Sequence, residues 1–534
     1  MNNTKLIRFE PSTVLDGDTV ADVMIRAGIT HDYSCGRHGR CGKCMVCVVP
    51  ASKPLLEECA VIHEALLADG WRLACLSPAF PGMVIYYPEK LNKQRILVEG
   101  TLKNHGSFKP SDDRKYQLAC DIGTTTVALY LLNPDDGSII ATASAANGQI
   151  NFGSDVISRI YAVEENPVNL QRMQKAIVNT LNQLINEIIV RSGVNLSSIG
   201  GLHVAGNTTM EHLLLGVDPR SMGRSPFTPS FLRAEQKTAS DLDLALSTDA
   251  KVSLVPNLSS FVGGDIVAGL YYVDICEKEG IYLFMDIGTN NEMVISKNKL
   301  LFACSAAAGP ALEGTQISTG VRAVEGAVEK VWFYNKLFLS TIENVSPVGI
   351  CGSGLIDLVA VLLDFGVVLP NGKFQQPDRI EQEDLRRRLR KGDKRFNEFV
   401  YCFAGEYGAD RDLVLTQKDV RETQLAKSAI AVGIHKLLEV TDVRIQDIDR
   451  VYLAGAFGNY INRDNAMRLG ILPKVMPETV LPVGNSAGLG VCRSVFDLDA
   501  KKKFACIEQS CQSLNLALSD DFQKMFVHYL NFDV

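Results

Sequence analysis

Two fold classes are predicted in this chain of 534 residues: a small α+β unit at the N-terminus, and behind it an α/β domain built twice. Three observations predict them. Cys35, Cys41 and Cys44 stand at C-x5-C-x2-C spacing among glycines and basic residues, with Cys75 following alone. A buried-strand pattern turning on an acid, a glycine and hydroxyls, Leu118 to Val127, recurs from Leu283 to Glu292. Between the thiols and the first of these turns lies a polar stretch with few apolar residues.

Composition sets the bounds. Hydrophobic residues make up 46% and charged residues 22%, ordinary values for a chain that buries large cores. A net charge of −7 argues against a general nucleic-acid binder. No stretch approaches the roughly 18 apolar residues of a membrane span, and Met1 to Lys5 opens no signal peptide, so a cytoplasmic protein is expected. Fourteen cysteines in that compartment are not a disulfide framework. The basic run Arg386, Arg387, Arg388, Arg390, Lys391, Lys394 and Arg395 reads as a solvated helix face, with a partner patch as the alternative.

Residues 1–87 form the first expected domain. Lys5 to Phe9 reads as a strand, and Thr19 as the cap of a helix from Val20 to Ala27 with Val20, Val23, Met24 and Ala27 on one face. The cysteine loop follows, then a strand from Met45 to Val49, a helix near Leu55 to Leu67 and a strand from Met83 to Tyr87. This order suits a β-grasp. Glycines let the backbone wrap an inorganic cluster, and cationic neighbours favour the thiolate that ligation requires. Cys35, Cys41, Cys44 and Cys75 are therefore read as ligands of a [2Fe–2S] cluster. Cys47 and Cys59 compete as fourth ligand, and zinc competes as the metal. The spacing resembles that of the plant and vertebrate-type [2Fe–2S] ferredoxins.

Residues 88–116 read as a linker. As a flexible coil its ends would average roughly 30 Å apart, with a stretched reach of about 90 Å.

The duplicated domain is expected in two halves, 117–280 and 281–497, the second carrying an insertion near 326–417, with 498–534 as a C-terminal extension. Asp121-Ile122-Gly123-Thr124-Thr125-Thr126 and Asp286-Ile287-Gly288-Thr289-Asn290 each close a strand and open a hairpin. Such turns leave backbone N–H groups and hydroxyls facing a phosphate, while the carboxylate organises magnesium or water. Each half then adds a helix and a strand ending in small residues: Leu170 to Ile188 before Val204-Ala205-Gly206-Asn207, and Gln424 to Leu438 before Leu453-Ala454-Gly455-Ala456-Phe457-Gly458. His203 and His212 read as core histidines.

These residues resemble the actin, sugar-kinase and heat-shock ATPases, an RNase H-like fold closing on a cleft. The resemblance implies ATP held by Gly123, Thr124, Thr125, Thr126, Gly206, Asn207, Gly288, Thr289, Asn290, Gly455, Ala456 and Gly458. It implies that Asp121 and Asp286 orient hydrated Mg²⁺ and that Asp265 stands where a water-activating acid sits. Gly263 to Gly269 and Gly484 to Gly490 would be the closely crossing helices between the halves.

A [2Fe–2S] domain ahead of this ATPase resembles the RACo-type reductive activators of corrinoid proteins. Further stretches carry the likeness: Phe152 to Arg159, Ala205 to Met210, Ala308 to Gly314, Gly349 to Gly354, and Gln417 to Arg421 with Gln424 to Lys427. What it implies is ATP-dependent reduction of Co(II) to Co(I) on the corrinoid protein of a methyltransferase system, an upstream electron donor, and a homodimer through the ATPase domain. Arg37-His38 stands where the family often has glycines, and only Cys506 and Cys511 remain of C-terminal cysteines some members carry. Two other readings stay open: an activator of a radical dehydratase or ring reductase, and a nucleotide-binding redox scaffold without turnover.

Overall fold

The computed structural model describes residues 6–27, 29, 31, 33, 37–39, 42–62, 64–88, 115–392, 397–519 and 521–532. After β1 (Leu6–Phe9), the chain enters α1 (Val20–Arg26) through a reciprocal cap. The Thr19 hydroxyl accepts from the Asp22 amide at 3.3 Å, and the Asp22 carboxylate accepts from the Thr19 amide at 2.8 Å. The helix buries Val20, Val23 and Met24 in one core with Val46, Val48, Leu73 and Ile85. Those four belong to β2 (Met45–Val49), β3 (Trp71–Leu73) and β4 (Val84–Pro88), which join β1 in an antiparallel sheet ordered β1-β4-β2-β3. The helix expected near Leu55 to Leu67 is two short ones, α2 (Leu56–Cys59) and α3 (Glu64–Ala68). Fully buried Glu58 anchors the bend, its carboxylate accepting from the Leu55 amide at 2.9 Å and the Leu73 amide at 2.8 Å. Nearly all of the expected linker, residues 89–114, lies outside the described residues.

The first half is a six-stranded sheet of β5 (Tyr116–Ile122), β6 (Thr126–Leu132), β7 (Ile139–Ala146), β8 (Ile199–Gly206), β9 (Gln236–Thr238) and β10 (Lys251–Leu254), ordered β7-β6-β5-β8-β10-β9. Its helices are α4 (Val156–Glu165), α5 (Val168–Ser192), α6 (Thr208–Leu215) and α7 (Gly264–Tyr272). Met173, Ile177, Leu181, Leu184 and Ile188 recur every three or four residues along α5 and bury that stripe on the sheet.

The second half repeats the plan. Strands β11 (Ile281–Ile287), β12 (Asn290–Lys297) and β13 (Leu300–Ala307) make the meander. Two three-stranded sheets follow: β14 (Ala327–Phe333), β15 (Leu337–Thr341) and β16 (Gly349–Ile350), then β17 (Leu389–Lys391), β18 (Asn397–Cys402) and β19 (Leu413–Thr416). Helices α8 (Gly352–Asp364) and α9 (Glu383–Arg388) lie between these sheets in the chain. Then come α10 (Gln417–Thr441), β20 (Arg450–Ala454), α11 (Gly455–Tyr460), α12 (Arg463–Leu469), β21 (Val480–Gly484) and α13 (Ser486–Ser494). Last are α14 (Ala500–Ser510), β22 (Cys511–Leu514) and α15 (Phe522–His528). The large sheet runs β21-β20-β11-β12-β13-β22. Register makes the duplication concrete: Asp121 pairs beside Ala205 on parallel β8, and Asp286 beside Ala454 on parallel β20.

Three boundaries differ from the sequence reading. Helix α10 starts at Gln417 rather than Gln424, because Thr416 and Asp419 form a capping box like that of Thr19 and Asp22. The segment 326–417 is no surface appendage, since α8 buries Leu355, Ile356, Leu358 and Val359 in the core beneath β11 and β12. The extension 498–534 is built into the domain: β22 completes the sheet against β13, and the fully buried Lys427 ammonium donates to the carbonyls of Tyr529 and Asn531 at 2.7 and 2.5 Å.

Candidate functional site

Of the four candidate cluster thiols, Cys35 and Cys41 lie outside the described residues. The other two meet: Cys44, leaving the loop into β2, and Cys75, just past β3, have sulfur atoms 3.3 Å apart, both buried. That separation is close to what two thiolates on one tetrahedral metal need. Cys47 is elsewhere. It alternates with the core residues Val46 and Val48 and so faces the other side of the sheet, its thiol 3.4 Å from the Asp69 carbonyl. Cys59 is exposed.

Two described glycines of the loop pack closely on their neighbours. A Cβ on Gly39 would lie 2.4 Å from Leu76, and one on Gly42 2.8 Å from Val61, so a larger residue at either position would have to displace that side chain. Arg37 adopts a left-handed φ of 71°, and its guanidinium leaves the loop to donate to Thr19 Oγ1 and Asp22 Oδ1, each at 2.8 Å. The same two residues that cap α1 thus hold the cysteine loop down.

The second site is the cleft between the duplicated halves. Twelve of the fifteen residues expected there line one chamber: Asp121, Gly123, Thr124, Thr125, Thr126, Asn207, Asp265, Asp286, Gly288, Thr289, Asn290 and Gly455. Gly206 and Gly458 stand back from it. Gly206 closes β8 against the Ile122 carbonyl, while Ala456 and Gly458 lie along α11, where Gly458 packs on Leu453. An adjoining chamber shares Thr125, Thr126, Asp286, Gly288 and Gly455 and continues along Leu312, Ile342 and Tyr460.

Hydrogen bonds shape both turns. Asn207 caps α6, accepting from the Met210 amide at 3.0 Å, and its amide donates to Thr124 Oγ1 at 2.9 Å. Asn147 donates to the Gly123 carbonyl at 2.9 Å. Arg159, fully buried, donates to the carbonyls of Thr124 and Gly153, and burial pulls its pKa down to about 9. On the other turn, Thr289 Oγ1 donates to Glu313 Oε1 at 2.6 Å.

The carboxylates are recessed and short of counter-charge. Burial raises Asp121 to about 7, opposed by a hydrogen bond from Asn485 and reinforced by the charge of Asp286. Burial raises Asp286 to about 6. Burial, then the charges of Asp286 and Asp121, raise Asp265 to about 8. Glu292, in the same chamber, is pushed well up by burial and by Asp265 and Asp286. Among the described residues no three His, Cys, Asp or Glu converge closely enough to chelate an ion directly.

A pH dependence follows. Below its raised pKa each carboxylate carries a proton, and a divalent cation needs it ionised. Affinity for MgATP should therefore fall as pH drops from about 8 to about 6, with protons released on binding. Calorimetry in buffers of different ionisation enthalpy measures both. A pH-independent affinity with no proton release would contradict the assignment.

Sequence reasoning overlooked Arg159, Glu313, Asn147 and Glu292 as cleft groups. It also missed Arg322, which reaches the adjoining chamber with an Nε that has no partner among the described residues. Asp and Glu beside a glycine-threonine turn carry a local signal, whereas Arg159 lies 35 residues from the carbonyl it holds.

A thiol pair in a small antiparallel domain, joined to a duplicated acidic cleft, defines an iron–sulfur domain fused to an actin-like ATPase. Residues 10–80 match the 2Fe-2S iron–sulfur cluster binding domain, 116–278 the RACo middle region, and 280–533 the C-terminal domain of RACo, the ASKHA domain. The corrinoid activation enzyme RamQ of Eubacterium limosum is 35% identical over 410 residues, covering 76% of this chain and 68% of that protein. A [Co(II) methylated amine-specific corrinoid protein] reductase of Methanosarcina barkeri is 22% identical, covering 70% and 68%. A solved reductive activator for corrinoid, iron–sulfur protein aligns over 97% of this chain and 96% of its own, at 30% identity and a TM-score of 0.73. The chain belongs to the family of RACo-type reductive activators of corrinoid proteins. No helix among the described residues is long and apolar enough to cross a membrane.

Proposed function

We propose that this chain is an ATP-dependent reductive activator that returns Co(II) to Co(I) on the corrinoid protein of a methyltransferase system. The observation that carries the reading is the likeness along nearly the whole chain to a solved reductive activator, with redox unit and ATPase together. Cys35, Cys41, Cys44 and Cys75 would hold a [2Fe–2S] cluster, which supplies one-electron transfer at about −400 mV. Asp121 and Asp286 would orient hydrated Mg²⁺ on the nucleotide, and Asp265, once ionised, would accept a proton from the attacking water. The two turns hold the phosphates through Gly123 to Thr126 and Gly288 to Asn290. Gly206 and Gly458 act from behind, setting how closely β8 and α11 approach.

The energetic problem is potential. A cobalt couple about 200 mV below the donor makes transfer uphill by about 4.7 kcal/mol, at 1.4 kcal/mol per 59 mV. Swinging a two-state equilibrium from 1:99 to 99:1 takes a similar amount, about 5.5 kcal/mol. Closure of the halves on nucleotide can supply it through differential binding of the partner. The protein works in the cytoplasm as a homodimer, loaded by an upstream electron donor.

The test is anaerobic mixing of the reduced chain, MgATP and a Co(II) corrinoid protein of a methyltransferase system. The Co(I) absorption band should rise only when ATP is present. A rate indifferent to ATP would refute the coupling.

A further inference from the structure

Arg322 has a buried Nε with no hydrogen-bond partner, and among the described residues no ion pair holds its guanidinium. It belongs to the second half, in the segment between Glu313 and β14, and lines the chamber that adjoins the cleft floor. Both halves build that chamber. Thr125 and Thr126 enter it from the first acid-glycine-threonine turn, Asp286 and Gly288 from the second. The carboxylates there leave Arg322 unclaimed: Glu313 accepts from Thr289 at 2.6 Å, and neither Asp286 nor Glu329 forms an ion pair with it.

A second cation stands close by. Arg159, on α4 of the first half, is 0% exposed and donates to the Thr124 carbonyl of the first turn. The charge of Arg322 reaches it from the other half as a like charge that opposes its protonation. Two guanidiniums thus meet near one phosphate-type turn, and neither is bonded to a carboxylate. A buried donor without a partner in a native protein calls for an explanation. A missing anion supplies it here, and the planar fork of arginine suits phosphate oxygens above all.

We propose that the Arg322 guanidinium donates hydrogen bonds to an anionic oxygen of the nucleotide's phosphate chain, and so ties the second half to the first turn when nucleotide is bound. This rests on the reading that the cleft takes MgATP. The contact crosses from one half to the other, so it forms only when the halves are close. Phosphate, rather than the nucleoside, therefore recruits Arg322 and favours closure.

Calorimetric titration of the full chain with MgATP, and separately with adenosine, tests it. Arg322→Gln should lose about tenfold to hundredfold in affinity for MgATP and keep the affinity of wild type for adenosine. Arg322→Lys, which retains the charge without the fork, should fall between glutamine and wild type. An Arg322→Gln variant that binds MgATP as wild type does overturns this proposal alone. So does an equal loss for adenosine, because the residue would then shape the chamber without meeting phosphate. A wild type that binds no MgATP overturns the nucleotide reading and this proposal together. Should the glutamine variant melt early, labelling of wild-type arginines with phenylglyoxal, read by mass spectrometry, decides instead. Protection of Arg322 by MgATP and not by adenosine supports the contact, and labelling unchanged by MgATP overturns it.

Discussion

Replacing Asp286 by Asn is expected to lower the rate of ATP-dependent corrinoid reduction on the order of 10²–10³-fold, while the empty chain becomes more stable. The two effects share one cause. Asp286 lies at the end of β11 on the cleft floor, near Asp265 and Asp121, and no cation among the described residues offsets its charge. Burial lifts its pKa from 3.8 to about 6. A carboxylate whose folded pKa lies above its unfolded value favours the fold below the unfolded value, and stability is lost as pH rises through the window between them. At neutral pH the ionised group is therefore a liability without metal or nucleotide. Asn keeps the shape and removes the charge, a gain of up to about 3 kcal/mol for a rise from 3.8 to about 6. It also relieves Asp265, whose own upward shift is partly caused by Asp286.

The measurement is a pair: urea unfolding of the nucleotide-free chains near neutral pH, and growth of the Co(I) band with MgATP. Higher stability with lost activity marks a group kept for chemistry at the expense of the fold. Equal activity would remove Asp286 from the machinery. Lower stability would show that the desolvation argument has the wrong sign.

What could be read in the sequence divides by the range of the interaction. Thr19 as a helix cap is a local signal, and it marked the start of α1, where the structure adds Asp22 as its reciprocal partner. The two acid-glycine-threonine turns are equally local, and the parallel registers of Asp121 with Ala205 and Asp286 with Ala454 follow the repeat that announced them. Residues whose environment is set from afar were illegible. Arg388 read as part of a solvated face, yet it is buried between Asp384 and Glu406, because α9 packs against β18 and brings Glu406 within 2.8 Å. The strand Trp71–Leu73 is too short for alternation to show, and β22 acquires its meaning only by pairing with β13, some 210 residues earlier in the chain. The pairing of Cys44 with Cys75 shows the intermediate case: spacing proposed it among competitors, and the opposite orientation of Cys47 on β2 separates them.

Gly490→Val is the second large effect expected, and it acts on the contact that lets the halves move. Helices α7 and α13 cross between the two sheets: α7 belongs to the first half and brings Gly269 against Phe284 of β11, while α13 belongs to the second and brings Gly488 against Tyr130 of β6. A Cβ on Gly490 would fall 2.1 Å from the Ala268 carbonyl oxygen, and one on Gly269 would fall 3.0 Å from Ser486 Oγ. The first obstacle is backbone, which cannot rotate aside as a side chain can. Alanine at position 490 must push the helices apart, at an overpacking cost of about 1–3 kcal/mol, and valine at the upper end or beyond. Because the helices carry elements of opposite halves, their separation also widens the cleft between Asp121 and Asp286. Affinity for MgATP should therefore fall in Gly490→Ala even where the chain still folds, and Gly490→Val should melt earlier than Gly490→Ala. Thermal unfolding and nucleotide titration of the two variants check the order. A valine variant as stable as wild type would mean that the crossing is looser than 2.1 Å implies, and that closure pivots elsewhere.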